Sequence, residues 1–158
     1  TKAPSTAQTF TMTQSNTWMW PLWVPNGYSV TYNANGGSGS MSADSVWYGD
    51  GYKTKQNAFT RTGYTFTGWN EKADGTGTAW NKNTAGTYEN GTAWTWTYTK
   101  NITLYAQWSI NSYNLTLEKG TGISSVTGAG SKQYNSSVTI NATVKTGYTW
   151  SKWTEGSN

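Results

Sequence analysis

Apolar and polar residues alternate with a period of two along several short stretches of this 158-residue chain, and no stretch carries the spacing of a long helix. Tyr28, Val30 and Tyr32 fall on one side of Tyr28–Asn33, with Ser29, Thr31 and Asn33 on the other, which predicts a half-buried strand. Asn35, Gly36 and Gly37 follow as a turn tolerant of positive φ. A second short strand is expected over Ser45–Tyr48, stopped by Gly49, Asp50 and Gly51, then one or two helical turns over Lys53–Phe59. Gly63–Trp69 reads as a strand whose partner lies near Thr78–Trp80, across a turn at Glu71–Gly77. Ala93–Thr99 sets Trp94, Trp96 and Tyr98 against Thr95, Thr97 and Thr99, while Ile102–Trp108 gathers Ile102, Leu104, Ala106 and Trp108 on one face. Joined only by Lys100 and Asn101, these two segments are expected to form a hairpin. The predicted fold class is β-rich, either all-β or α+β with minimal helix.

The pattern returns along the chain. Tyr28–Asn33 matches Tyr113–Glu118, and Thr62–Trp69 matches Thr146–Trp153, at offsets of 84 to 85 residues. Upstream, Thr6–Thr13 matches Thr92–Thr99, and Trp23 precedes Tyr28 as Trp108 precedes Tyr113. Self-similarity at a fixed period is the signature of repeat architectures. Residues 1–27 are therefore expected to be the tail strands of a preceding repeat plus a Trp/Pro linker. Residues 28–108 form a complete repeat, 109–112 a linker, and 113–158 the head of a second, divergent repeat. Head and tail are complementary, since only about a dozen residues within Asp74–Thr87 of the complete repeat lack a counterpart. A half-built sheet leaves an unpaired strand edge. Residues 1–23 of the same chain, residues 1–23 of a neighbouring chain, or chain beyond these residues would complete the head.

Composition narrows the chemistry. The absence of Cys and His removes disulfides, thiolate nucleophiles, the commonest general base and the usual zinc and iron–sulfur ligands. Asp44, Asp50 and Asp74 sit in turns without the spacing of a calcium loop. Neither enzyme activity nor a cofactor nor a metal is expected. Thr, Ser, Asn and Gly make up about half the residues, and 11 Trp and 11 Tyr supply most of the apolar bulk. That pairs strand and turn formers with an aromatic core. The net charge of +4 comes from cations spread evenly along the chain, so nucleic acid is not an expected partner. No apolar run approaches the roughly 18 residues of a membrane span.

Three segments in order, Tyr28–Gly37, Phe59–Asn70 and Leu104–Trp108, resemble a Listeria–Bacteroides repeat, the B-repeat type associated with internalins. Val138–Val144 and Gly147–Trp153 make residues 113–158 similar to the divergent form of that repeat. The resemblance implies small β-grasp-like modules strung in tandem in secreted or surface proteins of bacteria and in some phage proteins. It carries no catalytic residues. The expected setting is extracellular, on a cell or virion surface, as a stalk or filament subunit whose partners are copies of itself or adjacent repeats.

Two aromatic clusters stand out as candidate contact residues. Phe10, Met12, Trp18, Trp20 and Trp23 lie in the tail, where Pro21 and Pro25 exclude a regular central strand, and Trp residues are typical interface anchors. They are the assembly candidates. Trp94 and Trp96 would form a stacking platform for a glycan or a host-surface ligand if their face were open, and would be core if the Thr face were the outer one.

Overall fold

The computed structural model describes residues 9, 11–12, 18–80 and 94–156, leaving aside the side chain of Trp94. Its strands are β1 (Gly27–Asn33), β2 (Asp44–Trp47), β3 (Gly51–Tyr52), β4 (Tyr64–Asn70), β5 (Ala79–Trp80), β6 (Trp94–Thr95), β7 (Ile102–Ile110), β8 (Ser112–Leu115), β9 (Ile123–Thr127), β10 (Gly130–Gln133) and β11 (Asn141–Val144). Among the described residues there is no helix.

The first repeat is organised around β7, whose alternating Ile102, Leu104 and Ala106 are all buried. It lies parallel to β1 on one edge and antiparallel to β4 on the other, giving a five-stranded sheet in the order β2-β1-β7-β4-β5. Parallel pairing of the first and last long strands requires a long crossover, and residues 34–101 supply it. At Gly68 (φ 144) the register of β4 against β7 slips by one residue, a bulge that only glycine enters without strain. The core lies between this sheet and a cover formed by the β3–β6 ribbon and residues 53–59. Tyr52 and Trp96 of the cover meet Trp80 edge-on or tilted at 6.1 and 6.0 Å, and Phe59 meets Trp69 at 6.0 Å. Aromatic side chains thus take the place that aliphatic ones fill in most cores.

Three expectations change. The hairpin between Ala93–Thr99 and Ile102–Trp108 does not form, because both edges of β7 are occupied by β1 and β4; β6 pairs instead with β3. Alternation identified the strands but could not choose their partners. Lys53–Phe59 is irregular rather than helical. Its backbone groups go to side chains: Lys55 N–H donates to the Tyr32 hydroxyl (2.8 Å), Lys55 C=O accepts from Trp69 Nε1 (3.1 Å), and Asn57 closes a local turn on Phe59 N–H (2.9 Å). The linker over Ser109–Ser112 shrinks to Asn111, since β7 runs to Ile110 and β8 starts at Ser112.

The second repeat copies part of this plan. β8 pairs with β10 in the register of β1 with β2, Leu115 opposite Gly130 as Val30 is opposite Asp44. The β9–β11 ladder extends the single bridge Ser38–Thr60, with Ile123 and Val144 at the equivalent positions.

Candidate functional site

Two polar clusters in the first repeat bring ionisable groups together. Asp44 on β2 accepts from the Tyr32 and Tyr52 hydroxyls at 3.0 and 2.9 Å through one carboxylate oxygen, and pairs with Lys55 Nζ at 2.6 Å through the other. The hydroxyls lie 2.7 Å apart, and Lys55 Nζ also donates to the carbonyl and hydroxyl of Ser42 at 2.8 and 2.9 Å. Burial pushes both phenols well above their ordinary value; at Tyr52 the hydrogen bond it donates toward the Tyr32 oxygen and the Asp44 charge add to it. Both therefore remain protonated donors. The second carboxylate, Glu71, accepts from Trp80 Nε1 (2.9 Å) and the Tyr98 hydroxyl (2.6 Å), and burial together with Glu71 raises the Tyr98 phenol. These groups tie strands to the cover, and Asp44, Tyr52 and Lys55 also line an open surface depression of about 440 Å³ together with Ser45, Lys53 and Thr54. Among the described residues, no three His, Cys, Asp or Glu side chains gather as a metal site.

The predicted contact residues separate clearly. Trp96 is 1% exposed and ringed by Tyr28, Tyr52, Trp80 and Tyr98, so the platform expected of Trp94 and Trp96 is corrected at Trp96, which is core. The Trp94 side chain and Phe10 lie outside the described residues. Met12, Trp18, Trp20 and Trp23 are exposed, Trp18 by 83%, and residues 18–26 join no strand.

A larger aromatic surface opens in the second repeat. Trp153 is 36% exposed, whereas Trp69 at the same place in the first repeat is 3% exposed. Tyr113, Tyr148 and Trp150 are exposed too. The cause is topological: among the described residues the second repeat has no counterpart of β7. Residues 148–154, the counterpart of β4, form no strand, and β8 stops at Leu115, where the pairing of β1 with β7 begins in the first repeat at Val30. The polar cluster around Asp44 gave no signal in the sequence, because loops and not a motif bring its members together. The repeat offset, in contrast, points directly to the open slot.

A tandem pair of small β-rich modules defines the class of protein. Residues 28–107 match the Listeria-Bacteroides repeat domain and residues 113–158 the divergent InlB B-repeat domain. The chain belongs to the Listeria–Bacteroides repeat family, whose repeats occur in surface proteins and are typically structural. It is similar to two proteins of Evansella cellulosilytica, provisionally named a Gly-rich membrane protein and a membrane protein. Identity is 29% over 72% of this chain for the first and 30% over 63% for the second. The aligned region spans only 12% and 14% of those relatives. No solved structure matches the chain. Among the described residues, no helix is long and apolar enough to cross a membrane.

Proposed function

We propose that the chain is a non-enzymatic structural segment of an extracellular repeat protein, a stalk or filament element on a cell or virion surface, in which the open second repeat is completed head to tail by residues 17–23 of another copy. The observation that carries this reading is the exposure of Trp150 and Trp153 at the slot that β7 fills in the first repeat. Residues 17–23 align with Ile102–Trp108, Trp23 standing for Trp108. In the first repeat Trp108 packs on Phe66 at 5.8 Å and donates to the Ala34 carbonyl at 2.9 Å. Trp150 and Lys119 occupy the places of Phe66 and Ala34 in the second repeat, so Trp23 has the same two partners to meet. Pro21, at the place of Ala106, interrupts the ladder and excludes a regular central strand, so the completing segment pairs on either side of Pro21 and is not an unbroken copy of β7. Strand addition draws its affinity from main-chain hydrogen bonds and its selectivity from side-chain pockets.

Sedimentation velocity with amide exchange over a range of concentrations tests the reading. Association should rise with concentration while amides in 115–118 and 148–153 slow, and deleting residues 1–23 or substituting Trp23→Ala should abolish both. Protection that is independent of concentration yet lost on deletion would place the strand in its own chain. A monomer whose exchange ignores the deletion would overturn strand completion altogether.

Binding of a glycan or a host-surface ligand is the second reading, favoured by the exposure of Trp18, Trp20 and Trp23. It requires a saturable change in tryptophan fluorescence on adding sugar, lost in the Trp18→Ala, Trp20→Ala double variant.

A further inference from the structure

The two repeats meet through a small joint built around Asn111. Its N–H donates to the Gly63 carbonyl (2.8 Å), its carbonyl accepts from Tyr134 N–H (2.8 Å), and its side-chain oxygen accepts from the Thr65 hydroxyl (2.7 Å). The Tyr134 ring lies against Gly63, where a Cβ would clash with the ring carbons Cγ, Cδ1 and Cε1. Gly63 holds φ +77, so glycine is needed there both for the turn and for the contact.

Each half of this joint is built a second time and left open. Asn26 and Tyr48 stand at the places of Asn111 and Tyr134, with the same bond from Tyr48 N–H to the Asn26 carbonyl at 3.0 Å. The turn that displays the ring is also the same: Asp50 N–H to Trp47 C=O and Ser136 N–H to Gln133 C=O are both 3.1 Å, with Gly49 and Asn135 at positive φ. Yet Tyr48 is 49% exposed, against 37% for Tyr134 with one ring face covered. At the other end, Gly147 repeats Gly63 with φ +87 and the turn bond Tyr148 N–H to Lys145 C=O (3.2 Å), matching Tyr64 to Arg61 (3.0 Å). Nothing lies within 4 Å of a Cβ built on Gly147.

We propose that Asn26 with Tyr48, and Gly147 with Thr149, are the two unfilled halves of this joint, and that each docks the complementary half of another repeat of the same kind. The occupant follows from continuity with the joint already formed, since the two open faces are copies of its two sides. The result is a repeating angle between neighbouring modules, fixed by a tyrosine ring on a glycine. The proposal rests on strand completion only for what brings the two halves near one another.

The test uses two copies of the chain in tandem, joined by an extra copy of residues 75–86 to supply the segment that head and tail lack, and reads amide exchange. The Asn26 amide of the second copy should slow at least tenfold relative to the single chain, approaching Asn111. Tyr48→Ala in that copy should restore fast exchange at Asn26 and leave Asn111 untouched. Protection of 115–118 and 148–153 without protection of Asn26 would overturn the joint while sparing strand completion. Failure at both places would overturn both.

Discussion

Trp69 and Trp153 each stand six residues after a turn glycine of positive φ, in segments that align residue for residue, yet one is buried and the other is open to solvent. What separates them is β7, 41 residues away from Trp69 at its far end and without a counterpart in the described part of the second repeat. Pairing Trp69 with Ala106 in the ladder brings the indole under Phe59, Phe66 and Tyr32, with ring centroids 4.9–6.0 Å apart. Among its described residues the second repeat forms two interleaved two-stranded ladders, β8 with β10 and β9 with β11, and no larger sheet. A two-stranded ladder on its own is marginal in water. The comparison therefore places most of each module's stability in one strand contributed from the far end of the repeat.

The largest test of that view is a matched pair of truncations. Trp69→Ala should cost the first repeat about 3–5 kcal/mol, the usual penalty for emptying a large aromatic site in a packed core. Trp153→Ala should cost under about 1 kcal/mol in the isolated chain. Denaturant unfolding followed at separate reporters in the two repeats checks both. A large effect at Trp153 in a monomer would mean that the second repeat is already closed.

A second contrast is chemical. The cluster of Tyr32, Asp44 and Tyr52 becomes Leu117, Gly130 and Val138 in the second repeat. The two phenols titrate higher in the folded first repeat than in the unfolded chain, since burial disfavours the phenolate. Their contribution is therefore complete below the ordinary phenol value near 10 and is lost as pH rises above it. Each should lower the stability of the first repeat by about 1.4 kcal/mol per pH unit in that range. Unfolding curves between pH 9 and 11.5 should show the loss in the first repeat, and Tyr52→Phe should lower its slope while Tyr32 and Tyr98 keep the remainder. An equal slope in the double Phe variant would assign the loss to other tyrosines.

The sequence revealed most of the strands and none of the unexpected pairings. Period-two alternation located β1 and β7 to within a residue or two, because each has one face more buried than the other. It misassigned the partner of Ala93–Thr99, since a short loop favours a local hairpin and nothing local records that β1 and β4 occupy both edges of β7. The helical turns expected at Lys53–Phe59 failed for a related reason: Tyr32 and Trp69, distant in sequence, take the Lys55 N–H and C=O that a helix would use. The open slot was legible through the 84-to-85-residue offset, whereas the joint was not, because nothing local marks Asn111 and Tyr134 as meeting Gly63. Burial of Trp96 was readable only as one of two faces, and the side chains arriving from β3 and β5 decided it.

The smallest expected effects come from the two turn glycines, and they sharpen the comparison because the backbone is the same at both. Gly147→Ala introduces a methyl where there is open space, so it carries only the cost of placing Ala at φ +87, about 1 kcal/mol. Gly63→Ala carries a similar backbone cost and also displaces the Tyr134 ring, so its total should exceed that of Gly147→Ala by roughly another 1 kcal/mol. Tyr134→Ala should remove that excess, making the two glycine substitutions equivalent in the double-mutant comparison. Thermal unfolding of the four variants, read as differences from their parents, isolates the joint from the turn. If Gly63→Ala costs no more than Gly147→Ala with Tyr134 in place, the ring does not rest on the glycine in solution, and the angle between the repeats is not fixed there.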